Sequence, residues 1–206
     1  MDAPGRLTGL YAIIDPESTD DPISLAAAIL RGGARVIQLR DKRGPADGTI
    51  RLARALVLLC RAANVPLIVN DRLDVAIAAD ADGVHLGQHD LTVAEVRRIV
   101  GDQFIVGCST NTVEEARRAV EDGADYLGVG AIYPTSSKHD TRPAGLARLA
   151  EIRAAVRLPI VAIGGIDANN AGPVVAAGAD MVAVIGALAR VNDPEAAARR
   201  LAALFA

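Results

Sequence analysis

The chain has 206 residues, 51% of them hydrophobic and only 2% aromatic, with a formal net charge of −3. That length suits one large domain or two small ones, and the apolar share supports a sizeable core of Ala, Val, Leu and Ile. The acidic balance excludes the basic face of a general nucleic-acid binder, two cysteines (Cys60 and Cys108) exclude a disulfide or zinc framework, and no apolar run approaches the roughly 18 residues of a membrane span.

In chain order, the opening MDAPGRLTGL has no basic segment followed by an apolar stretch, so no signal peptide is expected and the expected setting is cytoplasmic. Strand-like apolar runs then recur at 10–15, 35–39, 66–70, 83–86, 104–107, 126–130, 159–164 and 181–185. Amphipathic helical patterns fill the gaps, among them 49–63, 93–100, 113–121 and 194–205. Thr92-Val-Ala-Glu95 and Thr112-Val-Glu-Glu115 each fit a capping box, in which hydroxyl and carboxylate satisfy each other's backbone N–H. GGARVIQL (32–39), ADGVHLG (81–87), DGADYLGVG (122–130) and AAGADMVAV (176–184) share one design, a small-residue helix stop leading into a strand. The strands are apolar runs more than clean alternations, as expected when helices cover a parallel sheet. Eight alternating units predict an α/β fold, a single (β/α)8 TIM barrel spanning 7–206, with its active site at the C-terminal ends of the strands. A doubly wound open sheet is the alternative, but no GxGxxG follows the first strand.

The strand ends carry the chemistry. Lys occurs only at 42 and 138 among 22 Lys and Arg, and both positions fall on strand-end loops, as do all three His, at 85, 89 and 139. Asp71 and Asp90 end neighbouring strands. Carboxylates about 5 Å apart would repel by roughly 3 kcal/mol at an effective dielectric near 20. A divalent cation relieves that repulsion, and hard oxygen ligands favour Mg²⁺. Asp71 has a second reading as the N-cap of the helix that follows, whereas Thr92 already serves as the cap near Asp90. Gly164, Gly165 and Gly186, after the seventh and eighth strands, either point backbone N–H groups at a phosphate or simply make tight turns. The sixth loop, 133–143, is long and polar, and is either a solvated loop or a lid that brings Lys138 to an anion. Ser109 near His85 lacks a nucleophile elbow and an obvious orienting carboxylate, so a catalytic triad is not expected.

Taken together, QLRDK (38–42), VNDRLDVA (69–76), GVHLGQHD (83–90), GCSTNTVEEA (107–116), DYLGVGAIYPTSSK (125–138) and VAIGGI (161–166) resemble the thiamine-phosphate synthase family, from about Leu10 to Leu188. The resemblance implies a barrel that joins 4-amino-2-methyl-5-hydroxymethylpyrimidine diphosphate to 4-methyl-5-(2-hydroxyethyl)thiazole phosphate. Its products would be thiamine phosphate and pyrophosphate. It implies Mg²⁺ on Asp71 and Asp90. Gln38, Leu39, Arg40, Asp41, Lys42, Asn70, Ser109 and Lys138 would lie around the pyrimidine diphosphate. Thr135, Ser136, Ser137, Gly165, Ile185 and Gly186 would lie around the thiazole phosphate, and the catalytic cations would be Arg40, Lys42 and Lys138. The implied partners are these small molecules, with no nucleic acid and no membrane, and a homo-oligomer is left open. The sequence departs from the family pattern at Gly186, where Ser is frequent, at Ser137 (Thr), at His89 (an acid) and at Ile14 (Thr). A thiazole tautomerase-like enzyme, a non-catalytic phosphate-ligand sensor and a phosphosugar epimerase are the rival readings.

Overall fold

A computed structural model describes residues 7–135 and 144–205. The strands are β1 Gly9–Ile14, β2 Val36–Leu39, β3 Leu67–Asn70, β4 Gly83–Leu86, β5 Ile105–Thr110, β6 Tyr126–Gly130, β7 Ile160–Ile163 and β8 Met181–Val184. Each pairs in parallel with its neighbour in sequence, and β8 returns to pair with β1, so the sheet closes. The helices are α1 Pro22–Arg31, α2 Ala46–Ala62, α3 Leu73–Ala78, α4 Val93–Val100, α5 Val113–Glu121, α6 Gly145–Ala155, α7 Ala171–Ala176, α8 Gly186–Ala189 and α9 Pro194–Ala202. No described helix is long and apolar enough to cross a membrane.

Strand side chains alternate between two cores, because successive Cβ atoms point to opposite faces. Leu10, Ala12, Ile14, Ile37, Leu39, Val84, Leu127 and Val182 face outward and pack with the helices in one large cluster. Tyr11, Ile13, Val36, Ile68, Tyr126, Val161, Met181 and Ala183 face inward and fill the barrel. The near-absence of aromatics suits the outer layer, where Ala and branched aliphatics let helices lie close to the sheet. Full burial of a side chain such as Leu10 or Ile37 stabilises by about 1.5–3 kcal/mol.

Several local expectations need correction. The strand expected over 104–107 runs on through Thr110, with Ser109 opposite Gly128 and Thr110 opposite Val129. Ser109 is therefore fixed on a strand and not on a loop. Asp15 lies beyond β1, where its carboxylate accepts from Glu17 N–H and caps a short 3-10 turn. Helix α2 begins at Ala46, earlier than residue 49, because Pro45 precedes it in extended geometry and Asp47 favours its first turn. The Thr92–Glu95 capping box is complete. At Thr112 only the hydroxyl half forms, because the Glu115 carboxylate accepts from Asn111 N–H and from Gln88 instead. The last helix ends at Ala202 and tightens into a 3-10 turn over Ala203–Phe205.

Candidate active site

At the C-terminal ends of the strands lies a cavity of about 910 Å³. Gln38, Arg40, Lys42, Asn70, Asp71, Asp90, Ser109, Thr135, Gly165, Ile185 and Gly186 all line it. Period two explains the choice within QLRDK: Gln38 points inward, whereas Leu39 is fully buried in the helix-facing core. The Asp41 carboxylate accepts from Gly44 N–H at 2.7 Å and from the Thr49 hydroxyl at 2.8 Å, so it organises the β2–α2 loop. Neither Leu39 nor Asp41 is on the cavity wall. Ser136, Ser137 and Lys138 lie outside the described residues.

Asp71 does not cap a helix. It adopts a left-handed backbone with φ of 62°, its N–H donates to His85 O, and α3 starts with no side-chain cap. An Asp in that region is tolerated better than most residues but is uncommon, and the turn directs its carboxylate toward Asp90. Both carboxylates border Gly87, and a Cβ there would meet Asp90 Oδ2 at 3.0 Å and Asp71 Oδ1 at 3.9 Å. Asp90 accepts from Gly87 N–H at 2.7 Å, which fixes it to the β4 loop. Burial, then the negative charge of Asp90, push the Asp71 carboxyl above its ordinary value, and Lys42 and Arg40 oppose the shift. Lys42 Nζ stands 3.6 Å from Asp71 Oδ2. The net direction shows that these cations do not fully offset burial and repulsion. Paired hard oxygens with excess negative charge fit a divalent cation such as Mg²⁺. No group of three or more His, Cys, Asp and Glu able to hold a metal occurs among the described residues.

Arg40 is paired with buried Asp15. The pair fixes the guanidinium at the β2 end and leaves its remaining N–H groups to the cavity. On the opposite wall, Gly164 and Gly165 have φ of 100° and 65°. A Cβ at Gly165 would meet Pro134 O at 2.6 Å, so the tight-turn reading of these glycines has a steric basis. Gly186 differs, since a Cβ there meets nothing nearer than Arg190 Nε at 3.7 Å.

Sequence reasoning missed Arg190, Tyr11 and Tyr126. Arg190 follows Gly186 by four positions and so shares its side of a helix turn. Tyr11 and Tyr126 were detectable in principle, since the chain has only three Tyr and these two sit at inward strand positions. His85 and Ser109 do meet, with Nε2 2.9 Å from Oγ. The other ring nitrogen faces the Tyr126 hydroxyl at 3.1 Å, so no Ser-His-carboxylate triad is seen among the described residues.

The thiamine monophosphate synthase family model matches residues 10–188. Thiamine-phosphate synthase of Roseiflexus sp. (strain RS-1) is 51% identical over 200 residues, covering 96% of this chain and 85% of the relative. That of Methanoculleus marisnigri is 55% identical over 198 residues, covering 93% and 92%. The structure of thiamine phosphate pyrophosphorylase from Pyrococcus furiosus superposes with a TM-score of 0.90 at 37% identity, covering 96% of this chain and 95% of that one. A 3-hexulose-6-phosphate synthase, at 20% identity and TM-score 0.69, shares the fold alone. With most of its length matched and half its residues shared with such relatives, this chain belongs to the thiamine monophosphate synthase family.

Proposed function

We propose that residues 7–206 act as one barrel unit in the cytoplasm, joining the aminopyrimidine diphosphate to the thiazole phosphate and releasing pyrophosphate and thiamine phosphate. The observation that carries this reading is the convergence of Asp71, Asp90, Arg40 and Lys42 on one cavity whose far wall is glycine-lined. In the reaction the bond from the pyrimidine methylene carbon to the diphosphate oxygen breaks. The electron pair leaves with pyrophosphate, and the thiazole nitrogen forms the new C–N bond.

Asp71 and Asp90 would hold Mg²⁺, which when bound supplies positive charge to the diphosphate. Arg40, held by Asp15, and Lys42 would bind the same oxygens, and Lys138 is assigned to them from the sequence pattern. Fixed cations aimed at a departing anion lower the barrier because they need no reorganisation as charge develops. Gln38, Asn70 and Ser109 would orient the pyrimidine. Thr135, Gly165, Ile185 and Gly186 would hold the thiazole phosphate, with Ser136 and Ser137 assigned from the sequence. Arg190 would place a positive charge beside Gly186, where a seryl hydroxyl is frequent in the family. Positioning two substrates and excluding water accounts for most of what this chemistry asks of a protein.

The test is pyrophosphate release on mixing both substrates with and without Mg²⁺. Release that requires both substrates and the metal is the expected result. Isomerisation of the thiazole phosphate without release would overturn it in favour of a tautomerase-like activity. Binding of both ligands with no turnover would overturn it in favour of a sensor.

A further inference from the structure

Inside the barrel, at the floor of the cavity, five polar side chains form one continuous chain. Gln38 Nε2 donates to Tyr11 Oη at 2.8 Å, and Tyr11 Oη lies 2.9 Å from Tyr126 Oη. Tyr126 Oη lies 3.1 Å from His85 Nδ1, and His85 Nε2 lies 2.9 Å from Ser109 Oγ. Both phenols are fully buried, and burial pushes both well above the ordinary tyrosine range. They therefore keep their hydrogens, and each hydrogen must be placed.

With Gln38 donating, one direction uses every phenolic hydrogen. Tyr11 donates to Tyr126, and Tyr126 donates to His85 Nδ1. That makes Nδ1 the acceptor and puts the imidazole hydrogen on Nε2, which donates to Ser109 Oγ. Ser109 is then left with its own hydrogen to give to a ligand. In the reverse direction Tyr126 donates to Tyr11, His85 Nδ1–H donates to Tyr126, and Ser109 donates to His85. With the Gln38 amide oriented as a donor, the Tyr11 hydrogen then has no acceptor among the described residues, a costly arrangement for a buried hydroxyl.

The strands are shaped to permit the chain. His85, Gly107 and Tyr126 stand opposite one another across β4, β5 and β6. Gly107 has no side chain to separate its neighbours. A Cβ there would lie 2.1 Å from Tyr126 Cζ, so the two rings meet above it, 5.5 Å between centroids. Gly128, opposite Ser109, does the same for the imidazole, since a Cβ there would lie 2.9 Å from His85 Cε1. Neither glycine has the left-handed backbone that would require it, so space for the rings is what each provides.

We infer that Tyr126 and His85 are positioning residues that fix Ser109 as a hydrogen-bond donor to the substrate, through a His85 tautomer protonated on Nε2. Ser109 then presents O–H to an acceptor such as a ring nitrogen, while Gln38 at the other end keeps its carbonyl oxygen free to accept. That opposite polarity suits a heteroaromatic ring bearing an amino group beside a ring nitrogen. The catalytic consequence rests on the proposed reaction; the tautomer does not.

The experiment uses the full chain labelled with ¹⁵N in its histidine rings, with His85 assigned by the signal lost in His85→Gln. The wild-type protein without substrate should show Nε2 protonated and Nδ1 unprotonated. In Tyr126→Phe the preference should be lost to a mixture of tautomers. The kcat should fall by about 2- to 10-fold, the effect of one neutral hydrogen bond, with the KM for the thiazole phosphate unchanged. A wild-type ring protonated on Nδ1 overturns the inference without any substrate being added. A Tyr126→Phe protein that keeps both the tautomer and the wild-type kcat overturns it as well, as does a loss of kcat with the tautomer unchanged. Failure of the proposed reaction would instead appear as absence of pyrophosphate release by the wild-type enzyme.

Discussion

At the ends of β2, β3 and β4 the cavity wall presents Arg40, Lys42, Asp71 and Asp90; at the ends of β7 and β8 it presents Gly164, Gly165, Ile185 and Gly186. The first wall is electrostatically unfinished. Asp71 is held above its ordinary value by burial and by Asp90, even with two cations nearby. The second wall is sterically finished at Gly165, where neighbouring backbone fills the space a side chain would need. A substitution on the charged wall should therefore change what the protein requires from solution while the fold survives. At Gly165 it should change the fold's own packing. Each variant below either sharpens that division or breaks it.

The largest expected effect is on the charged wall. Asp90→Asn should cut turnover by about 10²- to 10³-fold and remove the dependence on Mg²⁺. A steady-state titration of the metal checks this, and an unchanged titration would take Asp90 out of the proposed site. Lys42→Ala should lower kcat/KM for the pyrimidine diphosphate by about 10- to 100-fold. Because Lys42 is half exposed, the difference from wild type should narrow as salt rises. Kinetics at two ionic strengths test it.

The same wall carries a pH signature. The proton on Asp71 favours the folded, metal-free protein, because the folded-state value lies above the ordinary one. That contribution is fully present below the unfolded value and is lost as pH rises through the folded one. Metal-free protein should therefore lose stability across that window, and added Mg²⁺ should restore it at neutral pH. The Mg²⁺-induced rise in Tm should shrink in acid, where protons compete for the same oxygens. Asp90→Asn removes one cause of the shift, repulsion, so the metal-free variant should melt above the metal-free wild type at neutral pH and gain nothing from Mg²⁺. Calorimetry with and without chelator reads both.

On the glycine wall Gly165→Ala should destabilise by about 2 kcal/mol through overpacking and positive φ. That would lower Tm by about 4–8 °C in a domain of this size. Intact stability would mean that the segment at Tyr133–Pro134 yields easily, and the division between the walls would not hold.

The barrel was legible in the sequence because eight strand-like runs alternate with helical patterns, four of them entered through a small-residue helix stop, which leaves little freedom in how the chain can pack. The paired carboxylates were legible too, since two Asp at the ends of adjacent strands must converge. Asp71 was ambiguous because an N-cap and a metal ligand share the same position in sequence; only its left-handed backbone separates them. QLRDK reads as one motif along the chain, yet period two divides it, sending Leu39 outward and Asp41 into its own loop. The chain from Gln38 to Ser109 was not legible, because it depends on register. Gly107 resembles any strand glycine until β4 and β6 are seen to place His85 and Tyr126 on either side of it.

The smallest expected effect tests whether every glycine of the second wall belongs to one class. Gly186 opens α8 with no left-handed backbone, and the nearest atoms a Cβ would meet are those of the Arg190 side chain, at ordinary contact distance. Steric need does not explain glycine there. Gly186→Ser should keep the wild-type Tm within about 1 °C, since a fitting surface substitution changes stability little. The added hydroxyl should lower the KM for the thiazole phosphate by about 2- to 10-fold, the effect of one hydrogen bond to a charged group reduced by competition with water. The Arg190→Ala variant should move the same KM the other way, because the guanidinium beside Gly186 is the group assigned to that phosphate. If serine at 186 leaves KM unchanged while loss of Arg190 raises it, the cation already does what the hydroxyl would. The two walls would then share one strategy, charge, with Gly165 alone set apart by packing.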